Sequence, residues 1–215
     1  MNLSKDYPAK RSRRQGRGER YREGRPRRPD GPSFRLFVAV EIPEEATGGL
    51  VAWQRDFLAV DRALRLVPRE QLHITLIFLG QKSEEELVRV SGQLDELADE
   101  DPLTSFEAAA TAMVGLPKGR TPRVIAASIE EPAGRLKSIH GRLAAALARK
   151  QLFQSQRRQF FPHVTIARVR GRVRLDLDQM QPEPVKFTAV RITLYNSILK
   201  SSGAIHQALK TVQLK

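Results

Sequence analysis

The stretch Gln71-Leu72-His73-Ile74-Thr75-Leu76-Ile77-Phe78-Leu79-Gly80 has a shorter echo later in the chain, Phe161-Pro162-His163-Val164-Thr165-Ile166-Ala167-Arg168. Both read as strands. Successive strand side chains alternate between faces, so residues i and i+2 share one. His73 and Thr75 therefore share a face, while Leu72, Ile74, Leu76 and Phe78 turn the other way, towards helices. His163 and Thr165 repeat the arrangement over Val164 and Ile166. A single His-x-Thr reads first as a partly buried strand histidine satisfied by a neighbour. Here the whole sequence holds 4 histidines, and two of them occupy matching strand contexts.

Working outward, Arg35 to Glu41 reads as a strand closed by Pro43, and Pro43 to about Val60 as a helix with Glu44 and Glu45 in its first turn. Ser83 to about Leu97 is a second helix. Ser83 and Glu86 form a capping box, and Leu87, Val90, Leu94 and Leu97 recur at helical spacing. Strands are expected near 103–114 and 123–129, on either side of the basic loop Leu116-Pro117-Lys118-Gly119-Arg120. A third helix fits residues 132–151, with Leu136, Ile139, Leu143 and Leu147 on one face. Strands follow at 163–169, 185–195 and 204–213. The order strand, helix, strand, helix thus occurs before about residue 100 and again after about 122, which points to an internal duplication of an α+β unit.

The chain has 215 residues and 40% apolar content, enough for a buried core. No apolar run reaches the ~18 residues of a membrane span. No apolar leader opens the chain, so a cytoplasmic location is expected. Cysteine is absent, which removes disulfides, thiolate metal sites and cysteine nucleophiles. The net charge of +13 favours polyanionic partners. Residues 1–33 carry 11 Lys/Arg against 4 Asp/Glu, so about half of that excess sits in an Arg/Gly/Pro-rich segment expected to be a disordered basic tail. The tail is either an RNA-tethering arm or a solubilising extension. The folded unit is expected over 34–215.

Opening a cyclic phosphodiester needs a base for water and an acid for the departing ribose oxygen. Imidazole, with an ordinary pKa of ~6.5, serves either role. In-line displacement puts the two on opposite sides of phosphorus, and two facing strands supply that geometry. The threonine hydroxyls can bond the non-bridging oxygens.

These residues resemble the two-histidine phosphoesterases, and within them the RNA 2′,3′-cyclic phosphodiesterase branch, once called 2′-5′ RNA ligases. The likeness spans roughly residues 34–214. It rests on Arg35-Leu36-Phe37-Val38-Ala39-Val40, the two histidine motifs quoted above, Leu194-Tyr195-Asn196-Ser197 and Gly203-Ala204. The resemblance implies a bilobal α+β fold, with two antiparallel sheets, backed by outer helices, facing each other across a pseudo-twofold cleft. It implies His73 as proton donor to the leaving 3′ oxygen, His163 as proton acceptor from water, and a 2′-phosphomonoester product. The expected substrates are RNA with 2′,3′-cyclic phosphate ends or small cyclic nucleotides, handled by a monomer. Alternatives are 2′,5′-phosphodiester hydrolysis, RNA end joining, or a non-catalytic RNA-end-binding module. His206 stands where the family often has an aromatic residue, usually Tyr.

Supporting residues carry two readings each. Arg168 is a phosphate contact by resemblance, yet strand parity turns it away from the His163 face, as a sheet-edge salt bridge would require. Phe37 and Tyr195 face the cleft by parity, either to stack a base or to pack the cleft floor. Lys118, Arg120, Arg123, Arg157 and Arg158 are RNA-backbone contacts or solvated loop charges. His140 reads as structural. No metal or cofactor is expected: no carboxylate sits at ligand spacing from either motif, and no phosphate-binding Gly-x-x-x-x-Gly-Lys loop occurs.

Overall fold

The computed structural model describes residues 31–215 apart from 101–102, 119–120, 155–158, 174–175 and 202. The expected tail over 1–33 and the loop residues Arg120, Arg157 and Arg158 therefore lie wholly or almost wholly outside the described residues.

The chain forms β1 (Ser33–Glu41), α1 (Glu44–Trp53), β2 (Leu64–Leu66), β3 (His73–Ser83), α2 (Glu84–Glu100), β4 (Phe106–Leu116), β5 (Val124–Glu130), α3 (Arg135–Arg149), β6 (His163–Val169), β7 (Val185–Ala189), β8 (Arg191–Lys200) and β9 (Gly203–Gln213). The strands run in the order β7-β4-β5-β6-β3-β1-β8-β9, with β2 added to β6. All pairings are antiparallel, and β3 meets β6 through the single pair Ile74 and Val164. Two antiparallel lobes, β3-β1-β8-β9 and β6-β5-β4-β7, thus join at a narrow seam, and each contributes a histidine strand to it.

Apolar periodicity decides which faces close. Leu36, Val38 and Val40 on β1, Val90, Leu94 and Leu97 on α2, and Leu136, Ile139, Leu143 and Leu147 on α3 are all buried in one continuous core. The capping box forms: the Glu86 amide donates to Ser83 Oγ (3.2 Å) and the Ser83 amide to Glu86 Oε2 (2.9 Å). It satisfies two amides that an uncapped helix start leaves without partners.

Four expectations need correction. The strand expected over 185–195 is two strands in different lobes, β7 on β4 and β8 on β1, with Val190 between them. β3 does not stop at Gly80: that glycine takes φ +75° and the strand runs on to Ser83. The duplication is incomplete, since after β6 the described residues give only a 3₁₀ turn at Leu177–Gln179 where the first copy has α2. The short strand β2 has no counterpart among the expected elements, because three residues carry too little periodicity to register.

Candidate active site

Both histidine strands bulge at the residue after the threonine. On β3, Ala39 pairs with Thr75 and Val38 with Ile77, leaving Leu76 as the extra residue. On β6, Ala126 pairs with Thr165 and Ile125 with Ala167, leaving Ile166 extra. A bulge reverses the alternation of faces beyond it. Leu76 and Ile77 are both buried, as are Ile166 and Ala167, and the next residue in each strand, Phe78 or Arg168, is exposed.

That reversal overturns two expectations drawn from uninterrupted alternation. Phe78 does not face the helices; it pairs with Phe37 across β1 and lies on the histidine side. Arg168 does not turn away from His163; it rejoins the face of His163 and Thr165. Its positive charge is among those that bear on His73 and on His206.

Each bulge is braced from the opposite lobe. His140 on α3 has Nδ1 at 3.0 Å from the carbonyl of Leu76, and a carbonyl can only accept, so Nδ1–H donates. Gln54 sits in a π-helical turn (Gln54–Leu58) that prolongs α1. Its buried carboxamide donates to the carbonyls of Ile166 and Val67, each at 2.7 Å. The helix after β1 thus steadies the β6 bulge, and the helix after β5 steadies the β3 bulge.

The imidazoles are held alike. His73 Nδ1 lies 2.8 Å from the carbonyl of Gln71, and His163 Nδ1 lies 2.8 Å from the carbonyl of Phe161. Both Nδ1 atoms must carry the proton, so in the neutral rings both Nε2 atoms are the basic nitrogens. Antiparallel register about the pair Ile74 and Val164 sets His73 opposite Thr165 and Thr75 opposite His163 on one face of the seam. His73 Nε2 also meets Thr75 Oγ1 at 3.1 Å, where the hydroxyl donates to the neutral ring. The Gln71 carbonyl is itself fixed, since the Gln71 side chain donates to the Ala204 carbonyl on β9 at 2.8 Å.

The surroundings of the two rings differ. His73 is packed by Phe37 (5.0 Å between centroids) and set edge-on to His206 (5.4 Å), with Tyr195 farther off (6.3 Å). Burial, followed by the neighbouring His206, pushes its pKa down to about 4; the bond to Gln71 opposes this, and His163 and Arg168 add to it. His163 has Phe161 stacked at 5.9 Å with 19° between planes.

The remaining expected site residues divide. Phe37 is only 2% exposed, so it cannot offer a face to a base; it packs the cleft floor beneath His73, Tyr195 and His206. Tyr195 stacks on Phe37 at 5.1 Å and donates its hydroxyl to Glu41 (3.2 Å). Burial, with Glu41 nearby, pushes its pKa up to about 12. His206 comes from β9, opposite Ser197 on β8, and its buried Nδ1 has no hydrogen-bond partner among the described residues. Lys118 sets its ammonium 4.8 Å over the ring of Phe161.

Sequence reading did not single out Gln54, Gln71 or Arg65. Arg65 on β2 pairs with Arg168 on β6, and a side chain on Gly203 would meet its guanidinium at 2.8 Å. A three-residue strand between two turns gives no pattern from which to place it.

Comparison with known proteins agrees with this geometry. The model of the 2′-5′ RNA ligase superfamily matches residues 49–198. The RNA 2′,3′-cyclic phosphodiesterase of Thermus thermophilus is 33% identical, over 85% of this chain and 91% of its own length. The enzyme of the same name from Archaeoglobus fulgidus is 28% identical, over 84% of this chain and 100% of its own. Among solved structures, a protein of Thermus thermophilus superposes with TM-score 0.71 at 28% identity, covering 84% of this chain and 97% of that one. Escherichia coli LigT complexed with 3′-AMP superposes with TM-score 0.69 at 26% identity, covering 85% and 99%.

Proposed function

This chain belongs to the 2′-5′ RNA ligase superfamily, and from that premise we propose that it hydrolyses RNA 2′,3′-cyclic phosphate ends to 2′-phosphomonoesters, with His73 and His163 as the proton-transfer pair. The observation that carries the reading is the shared anchoring of the two rings, each with Nδ1 on a carbonyl two residues back and Nε2 as its basic nitrogen at the seam.

In this mechanism His163 Nε2 takes a proton from water as its oxygen attacks phosphorus. The bond from phosphorus to the 3′ oxygen breaks in line, and His73 gives that oxygen a proton. Thr75 and Thr165 donate to the non-bridging oxygens, and Arg168 balances their charge. The order of roles follows the family resemblance. An acid with a pKa of about 4 is neutral in the free protein at pH 7. The anionic substrate supplies the charge that brings a proton onto His73. Once there, that proton is readily given up, which suits an alkoxide leaving group. Tyr195 completes the cleft wall by holding Glu41. The same reading makes the protein a cytoplasmic monomer acting on RNA ends, and makes 34–215 its catalytic unit.

The low His73 pKa favours one second reading, in which neutral His73 is the base and His163 the acid. The first reading sets the departing oxygen beside His73 and the second sets it beside His163. Turnover in EDTA of an RNA ending in a 2′,3′-cyclic phosphate, with the 2′- and 3′-phosphate products separated, tests the reaction and names the bond that breaks. The roles are separated by a leaving group that needs no proton: restored rate in His73→Ala supports the first reading, and restored rate in His163→Ala supports the second. No turnover by the folded protein leaves a non-catalytic RNA-end binder, and discards both.

A further inference from the structure

A groove of about 1300 Å³ opens from the seam into the β6 lobe; Thr75, Phe78, Lys118, Phe160, Phe161 and His163 are among the residues that line it. Its near end is the reaction centre, because Thr75 and His163 belong to both. Phe37, Tyr195 and His206 pack against one another beside His73. A drug-sized ligand fills ~300–1,000 Å³, so the groove exceeds what a single nucleotide needs.

Phe78 is the unusual element. It is 59% exposed, while the bulge at Leu76 and the brace from His140 hold it on the cleft face. Its exposure leaves ring surface in water beside the reaction centre, free to take a ligand. One side meets Phe37 at 5.9 Å, which steadies it. Across the groove, Lys118 lies over Phe161 and brings a cation to this end. Lys118 and Lys137 are cations of the groove lining, and Glu130 and Glu131 are its carboxylates; Lys118 is the cation held beside Phe161, two residues before His163. An aromatic face paired with a cation beside it is the arrangement that holds single-stranded nucleic acid.

We propose that this groove is a second nucleotide site, in which Phe78 stacks the base of the nucleotide preceding the cyclic phosphate and Lys118 contacts the phosphodiester that links the two. A 2′,3′-cyclic phosphate ends a strand, so the rest of the chain leaves on its 5′ side. The groove that opens from the seam offers that strand a path. The inference rests on the proposed hydrolysis and narrows its substrate to oligoribonucleotide ends over free cyclic mononucleotides.

The experiment compares kcat/KM for a nucleoside 2′,3′-cyclic phosphate with that for a dinucleotide ending in the same group. Wild type is expected to favour the dinucleotide by about tenfold or more, the span of one base stack. Phe78→Ala should lose that preference while keeping the mononucleotide rate, and Phe78→Trp should keep both. Lys118→Ala should lower the dinucleotide rate alone, with a weaker salt dependence. Equal rates on the two substrates in wild type, or equal losses on both in Phe78→Ala, overturn the second site and leave the hydrolysis reading standing. Absence of turnover on both substrates overturns the second site and the hydrolysis reading together.

Discussion

The β3 and β6 strands carry the same four-residue device and put it in different company. Each has a histidine clamped through Nδ1 to a carbonyl two residues earlier, a threonine on the same face, and a bulge one residue later. Each bulge is held by a side chain from the other lobe, His140 for Leu76 and Gln54 for Ile166. The likeness fixes two basic nitrogens at one seam. The difference lies in what surrounds them. His73 sits among Phe37 and His206 with its pKa pushed to about 4, whereas His163 stands at the mouth of a groove. Pseudo-symmetry therefore supplies the positions, and the packing around His73 lowers the proton affinity of that ring.

The largest effect should come from removing either ring. His73→Ala and His163→Ala are each expected to lower kcat by ~10²–10⁴-fold on a cyclic phosphate. A substrate with a nitrophenolate leaving group separates the roles, because such a group departs without a proton. It should restore rate to His73→Ala and leave His163→Ala slow. Rescue of His163→Ala instead would reverse the assignment.

A second contrast is in stability. His73 takes its proton at about pH 4 in the folded state and at ~6.5 when unfolded. The unfolded chain therefore binds the proton first as pH falls. Stability from this residue is complete above about pH 6.5 and is lost on descending towards pH 4, by on the order of 3 kcal/mol. Denaturant titrations across that window should show wild type losing stability relative to His73→Gln by that amount as pH falls. Parallel curves would place the ring in a far more solvated setting.

The braces rank next. Gln54→Leu leaves the Val67 carbonyl without its side-chain donor and takes one of two donors from Ile166, which also accepts from the Val67 amide. His140→Phe strips the Leu76 carbonyl alone. A buried polar group left unpaired costs ~1–3 kcal/mol, so both variants should unfold at lower denaturant. Gln54→Leu should also lower kcat/KM through Arg168, which the Ile166 bulge aims. His140→Phe should weaken dinucleotide binding through Phe78. Identical kinetic losses in the two would mean that the braces stabilise the fold without aiming those side chains.

Legibility in the sequence follows the range of the interactions. The histidine-threonine pairs, the capping box and the stripes of α2 and α3 are local patterns of period two or 3.6, and each appears in the structure where the residues put it. Alternation misplaces Phe78 and Arg168 for one reason: a bulge is invisible along a single strand, because it depends on what the neighbouring strand pairs with. Gln54 and His140 lie on helices in which nothing local marks them as donors to a strand in the other lobe. The split at Val190 is likewise a matter of which lobe each half joins, which 185–195 alone does not encode.

The smallest expected effect tests the asymmetry itself. His206 reaches His73 from β9, edge-on at 5.4 Å, and after burial it is the largest influence lowering the pKa of His73. Its own pKa is lowered by burial and then by Arg168 and Arg35, so it is mostly neutral near pH 7 and repels only as the solution becomes acid. His206→Gln removes that repulsion and keeps a polar group near the buried position of Nδ1. The pKa of His73 should then rise from about 4, while burial, His163 and Arg168 still hold it below the ordinary histidine value. A proton NMR titration of the His73 ring in both proteins reads the change directly. The acid limb of kcat/KM should move in the same direction, with kcat at neutral pH nearly unaltered. A titration midpoint that stays in place would remove His206 from the causes of the depression. The low value would then rest on burial and on the charges of His163 and Arg168.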